Sequence, residues 1–284
     1  MINKRLTRTA YAKINLALAI LGRRPDGYHV LESVMQTVSL HDDVEISLEG
    51  TGLVCQCGDL SGPRNLAYQA AESFQKRLGY ADGVTIRIVK RIPVQAGLAG
   101  GSSDAAAVLN GLNQLYGTPC TMSQLREMSV ALGSDVAFFL QGGTAWISGS
   151  GEGYDRLPDA PPLDVVIVQP DRGVHTGQAY RVFDQVSGGR QALDALAWQQ
   201  ALRTQDSKRI AELLSNDLEA ASIRLVPQIA GIKQDLLEAG CLGSLMSGSG
   251  SAVFGIAPSS AAAEVLSKEM TRKGYRAWQA TTVQ

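Results

Sequence analysis

The sequence predicts an α+β protein of two domains, residues 1–155 and 156–284. Three observations carry that reading. Apolar residues alternate with period two through much of the first 90 positions, and helical spacing takes over in the segments between and after them. A stretch dense in Gly, Pro, Asp and Ser at residues 149–162 then separates two such sets. A chain of 284 residues also exceeds the usual size of a single core.

The elements follow in order. Over residues 6–21, Ala10, Ala12, Ile14, Leu16, Leu18 and Ile20 share one face of a predicted strand, with Tyr11, Lys13 and Asn15 on the other. Lys13 therefore stands beside Asn15. A second strand is predicted over residues 33–48, interrupted by a polar turn at His41-Asp42-Asp43, and Val84, Ile86 and Ile88 alternate in a third. Helices are predicted over residues 65–78 and 102–116. In the latter, Ala105, Val108, Leu109, Leu112 and Leu115 recur until Gly117 and Pro119 stop the pattern. Beyond the Gly- and Pro-rich stretch a strand begins at residues 165–168. It is followed by helices near 177–184, 193–203, 208–214, 227–239 and 260–273, with short strands around Ser244, Val253 and Trp278.

Composition narrows the function classes. Hydrophobic residues make up 45% and charged residues 19%, with a formal net charge of −1. No strong field exists to hold nucleic acid or an anionic membrane surface, so any phosphate must be held by local backbone geometry and one or two cations. The basic start of the chain is not followed by a signal-type apolar segment, and no run of about 18 apolar residues occurs, so a cytoplasmic protein is expected. Cys55, Cys57, Cys120 and Cys241 have no zinc-site spacing and are read as reduced thiols; no protein metal site is expected.

The most informative segment is Pro93-Val94-Gln95-Ala96-Gly97-Leu98-Ala99-Gly100-Gly101-Ser102-Ser103-Asp104, between a predicted strand and a predicted helix. Glycines let successive N–H groups turn toward one oxyanion, and the helix N-terminus adds its unsatisfied donors. Ser102 or Ser103 could reach a phosphate oxygen or Mg²⁺, and Asp104 is expected to cap the helix. An arbitrary turn of this kind is usually structural, but a cap needs one glycine and one Ser or Asp, far fewer small residues than this loop spends. Neither a Walker A loop nor a G-x-G-x-x-G fingerprint is present.

Residues 93–103 resemble the second motif of the GHMP kinases. Ala10-Tyr11-Ala12-Lys13-Ile14-Asn15-Leu16 resembles the first and Leu245-Met246-Ser247-Gly248-Ser249-Gly250 the third, in the family's order. The resemblance implies the two-domain GHMP kinase fold, with an N-terminal ribosomal-protein-S5-like domain, a C-terminal ferredoxin-like α+β domain and an active site in the cleft between them. It also implies ATP as co-substrate with Mg²⁺. Arg24-Pro25-Asp26-Gly27-Tyr28-His29 and Gly133-Ser134-Asp135-Val136-Ala137-Phe138-Phe139 fit the branch whose acceptor is a cytidine-diphosphate sugar alcohol. The chain departs from the family pattern at Gln95, Ala96 and Ala99, where many members carry glycine, and at Ser251, where proline or alanine is usual.

Phosphoryl transfer needs charge neutralisation and a carboxylate to take the acceptor's proton. From the residues alone, Lys13 reads equally as an edge lysine and Asp135 as a helix N-cap. The resemblance implies Asp135 as base and Lys13 as its partner. It further implies that residues 93–103 and Asn65 hold ATP, although Asn65 also reads as a helix cap. Tyr28 and His29 would read the cytosine, Asn15 would bond the erythritol end, and Thr176 and Tyr180 would complete the acceptor site. The expected partners are ATP and the cytidine-diphosphate sugar alcohol, with neither nucleic acid nor membrane, in a monomer or homodimer. The alternatives are another GHMP kinase, acting on mevalonate phosphate, homoserine or a plain sugar, and a non-catalytic ATP-binding relative.

Overall fold

The computed structural model describes residues 4–186 and 191–284. In chain order the elements are β1 (Arg5–Arg23), β2 (His29–Ser47), β3 (Leu53–Gln56), α1 (Leu66–Leu78), β4 (Val84–Val89), α2 (Gly100–Leu115), α3 (Met122–Leu132), α4 (Ser134–Phe139), β5 (Thr144–Gly149), β6 (Gly153–Arg156) and β7 (Asp164–Gln169). They continue as α5 (Thr176–Val186), α6 (Ala195–Arg203), α7 (Ser207–Glu212), β8 (Ser215–Asn216), α8 (Glu219–Leu225), α9 (Gln228–Glu238), β9 (Gly243–Met246), β10 (Val253–Ile256), α10 (Ser260–Arg272) and β11 (Arg276–Thr281). The architecture is α+β.

The chain folds into two compact units that are discontinuous in sequence. The first comprises the described part of Met1–Ala12 with His41–Ile92 and Ala99–Gln141. Here β4 pairs antiparallel with the second half of β2 and parallel with β3. Helices α1 to α4 cover this sheet around a core that includes Phe74, Ile86, Val108, Leu109 and Leu112. The positions expected on the buried face of α2, Ala105, Val108, Leu109, Leu112 and Leu115, are all buried. The helix lies close to the sheet, because a Cβ on Gly111 would come within 2.3 Å of the Ile46 side chain.

The second unit comprises Lys13–Leu40, Pro93–Leu98 and Gly142–Gln284. The first half of β2 pairs antiparallel with β5, which turns back as β6, and β1 pairs parallel with β8. A separate antiparallel sheet runs in the order β11, β7, β10, β9. Helices α5, α8, α9 and α10 supply its apolar cover, with Val166, Phe183, Ile229, Leu236, Val253 and Leu266 in the core.

One expected feature is corrected. Residues 41–43 form no turn: β2 runs straight through them. Asp42 is fully buried, accepting from the N–H groups of Arg91 and Ile92 at 2.5 and 2.8 Å and from Lys90 Nζ at 2.5 Å. Those donors offset the desolvation that would otherwise expel a carboxylate from a strand interior. All four cysteines are free and buried, and burial pushes the thiols of Cys55 and Cys241 up to about 11, which keeps them protonated. Among the described residues no helix is long and apolar enough to cross a membrane.

Candidate active site

In the second unit parts of the three sequence motifs meet, residues 13–16, 93–98 and 245–250. Lys13 is buried on β1, and its ammonium donates to Asn15 Oδ1 at 2.5 Å and to the Gly97 carbonyl at 2.8 Å. Its backbone N–H donates to the Leu98 carbonyl at 3.2 Å, which ties β1 to the glycine loop. Asn15 spends its amide on Ser33 Oγ at 2.8 Å, and Ser33 in turn donates to the Ala17 carbonyl at 2.6 Å. From the third motif, Ser247 Oγ accepts from the Asn15 N–H at 3.3 Å and donates to the Gly97 carbonyl at 3.0 Å.

Glycine is required at two of these positions. Gly97 has φ +75°, and a Cβ there would lie 2.0 Å from the Ser247 carbonyl oxygen. Gly248 has φ +55°, and its Cβ would lie 3.2 Å from Asn15 Oδ1, the Gly97 carbonyl oxygen and Lys13 Nζ alike. The third motif is held from behind by Asn216, which donates to the carbonyls of Met246 and Gly248 at 2.8 Å each, and by Ser222, which donates to the Ser249 carbonyl at 2.9 Å. Sequence reasoning missed Asn216, Ser222 and the role of Ser247 Oγ; they carry no local signal beyond being polar.

The earlier part of the glycine loop lies along the same unit. Pro93 is buried, the exposed Val94 gives its carbonyl to Gln169 Nε2 at 3.1 Å, and the Gln95 and Ala96 carbonyls accept from the N–H groups of Ser251 and Ala252 at 3.4 and 3.1 Å. Gln95 takes the glycine-like conformation, φ +54°, despite its side chain, which costs about 1–2 kcal/mol relative to glycine.

A second group forms on α5. His29 Nε2 sits 2.8 Å from Asp184 Oδ1, and its ring stacks on Tyr180 with centroids 4.7 Å apart. Thr176 Oγ1, at the start of that helix, shares a 2.9 Å hydrogen bond with Ser249 Oγ. Tyr28 instead stands 67% exposed in the preceding turn.

The remaining candidates lie in the first unit. Ala99 is the N-cap of α2, in the left-handed conformation at φ +55°, and no side chain caps the helix. Asp104 does not cap it, contrary to expectation. Its carboxylate is buried against Lys90 Nζ at 2.7 Å, and burial, aided by Asp42, pushes its pKa up to about 7 although Lys90 pulls the other way. Burial opposes the Lys90 ammonium too, but Asp104 and Asp42 outweigh it and raise its pKa. An uncapped first turn opening on Gly100 and Gly101, with Ser102 half-buried and Ser103 buried, keeps helix-end donors for an anion.

Asp135 stands in the first turn of α4, half-buried; the N-cap is Gly133, so the capping alternative for Asp135 does not hold. Asn65 does cap its helix: Oδ1 accepts from the Ala67 N–H at 2.9 Å, and Nδ2 donates to the Leu60 carbonyl at 3.0 Å.

Residues 65–143 match the GHMP kinases N terminal domain and residues 198–276 the GHMP kinases C terminal domain. The 4-diphosphocytidyl-2-C-methyl-D-erythritol kinase of Desulfitobacterium hafniense (strain Y51) is 50% identical over 100% of this chain and 98% of its own. A crystal structure of 4-(cytidine 5'-diphospho)-2C-methyl-D-erythritol kinase superposes with a TM-score of 0.85 at 36% identity, over 98% of this chain and 100% of that one. The homoserine kinase of Cytophaga hutchinsonii shares the fold, with a TM-score of 0.76 at 21% identity over 100% of this chain and 96% of its own.

Proposed function

Because the chain belongs to the GHMP kinase family, we propose that it transfers the γ-phosphoryl of ATP to the 2-hydroxyl of 4-diphosphocytidyl-2-C-methyl-D-erythritol, in non-mevalonate isoprenoid precursor biosynthesis. The supporting observation is the cluster in which Lys13 and Asn15, Gly97, and Ser247 are joined by hydrogen bonds across three distant stretches of sequence, with Gly248 packed against them. We divide the sequence into an N-terminal ATP-binding module, residues 1–155, and a C-terminal module, residues 156–284.

In this reading the backbone of residues 93–103 cradles the ATP phosphates, the α2 N-terminus adds uncapped N–H donors, and Asn65 borders the adenine. Asp135 takes the proton of the acceptor hydroxyl as that oxygen bonds to the γ-phosphorus and the bond to the β-phosphate oxygen breaks, releasing ADP. Lys13 offsets charge on the transferred group, and Asn15 orients the acceptor. When bound, Mg²⁺ would supply charge neutralisation at the ATP phosphates. The half-buried Ser102 in the glycine-lined first turn of α2 supplies a hard oxygen suited to such an ion. Tyr28, His29, Thr176 and Tyr180 hold the cytidine end. The protein works in the cytoplasm as a monomer or homodimer.

The test is His29→Ala. Losing a base-edge hydrogen bond should weaken the cytidine substrate by about 1–3 kcal/mol, seen in its KM, while the KM for ATP stays unchanged. Weakening toward ATP instead would return the acceptor to the wider family.

A further inference from the structure

We propose that Asp184 is a positioning residue that sets the tautomer of His29, and through it the preference for cytosine over uracil; the specificity half of this rests on the reading that His29 faces the pyrimidine. The His29 side chain is only 8% exposed, so its ring has few alternatives to the partners it finds in the fold. Its Nε2 lies 2.8 Å from Asp184 Oδ1. A carboxylate oxygen only accepts, so Nε2 must carry the proton, and in the neutral ring Nδ1 is left as an acceptor.

The surrounding contacts hold that arrangement. Tyr180 stacks on the imidazole at an interplanar angle of 25°, and Phe183 meets it edge-on at 6.2 Å. Tyr180, Phe183 and Asp184 are three and four residues apart on α5, so one helix face fixes the plane of the ring and its protonated nitrogen together. Arg23 Nη1, 3.6 Å from Asp184 Oδ2, steadies the carboxylate from the other side.

The consequence is chemical. Cytosine carries an exocyclic amine where uracil carries a carbonyl oxygen. An acceptor Nδ1 pairs with the amine and opposes the carbonyl, whereas the other tautomer reverses the preference. An asparagine at position 184 can donate as well as accept, which frees the ring to place its proton on Nδ1.

Two measurements test this on the full-length protein. The first is the ¹⁵N–¹H correlation spectrum of histidine-labelled protein near pH 8. The His29 signals, identified among three histidines by the His29→Ala spectrum, should show a neutral ring protonated at Nε2 and should shift toward the Nδ1–H form in Asp184→Asn. A wild-type ring protonated at Nδ1, or at both nitrogens, overturns the proposal. The second is the ratio of kcat/KM for the cytidine substrate to that for its uridine analogue. Asp184→Asn should lower the ratio about tenfold or more with the KM for ATP unchanged, and an unchanged ratio overturns the specificity role. A wild type that turns over neither nucleotide overturns the functional reading and the specificity role with it, while the spectrum still decides the His29–Asp184 pairing.

Discussion

Lys13 is a cation buried among alanine and aliphatic residues, which is unfavourable unless polar partners are built around it. Asn15, two positions on and therefore on the same strand face, supplies one such partner, and the Gly97 carbonyl supplies another. That pairing was legible, because period-two alternation alone puts residues 13 and 15 side by side. The proposed partner in chemistry, Asp135, is tested by Asp135→Asn. Shape is preserved and the proton acceptor is lost, so kcat should fall by roughly 100-fold or more with little change in the KM for ATP. Steady-state kinetics with near-normal turnover would contradict a base at this position. Asp184 was not legible, since its partner His29 is remote in sequence and a lone acidic residue on a helix is ordinarily solvated.

At the scale of elements, the strand-loop-helix unit from β4 to α2 shows what local signals miss. Asp104 has the composition of a helix cap, yet it sits inside the first turns of α2 and turns inward to Lys90 and Asp42. One of its oxygens, Oδ1, is buried without a hydrogen-bond partner among the described residues. That cluster carries a pH signature. The folded state holds the Asp104 proton up to about pH 7, whereas the unfolded chain releases it near 3.8. Between those values the folded state binds more protons, so stability falls as pH rises, by at most about 1.4 kcal/mol per pH unit for one group. Urea unfolding from pH 4.5 to 7.5 should show this decline, and Asp104→Asn should flatten it; an equal slope in the variant would contradict the assignment. The same burial explains why His41-Asp42-Asp43 has the composition of a turn yet lies within β2, since only tertiary donors make a carboxylate tolerable there. Helix α3 is not among the helices that periodicity predicts, although Thr121 and Gln124 form a capping box at its start.

For the whole molecule, the α+β class was legible from periodicity, and the order of motifs from residues 10–16, 93–103 and 245–250. The assembly of each compact unit was not, because β1 and β2 each run from one unit into the other and no composition change marks Ala12 or Leu40. Family membership rests on matches that span the chain, while the choice of acceptor rests on the residues around His29 and Lys13. That choice is tested most directly by ATP consumption with equal concentrations of 4-diphosphocytidyl-2-C-methyl-D-erythritol, mevalonate and homoserine, each product followed by ³¹P NMR. The cytidine substrate should give one ADP and one new phosphate monoester per turnover, its diphosphate left intact, with background rates for the other two. Turnover of mevalonate or homoserine at a comparable rate, or no monoester from the cytidine substrate, would contradict it.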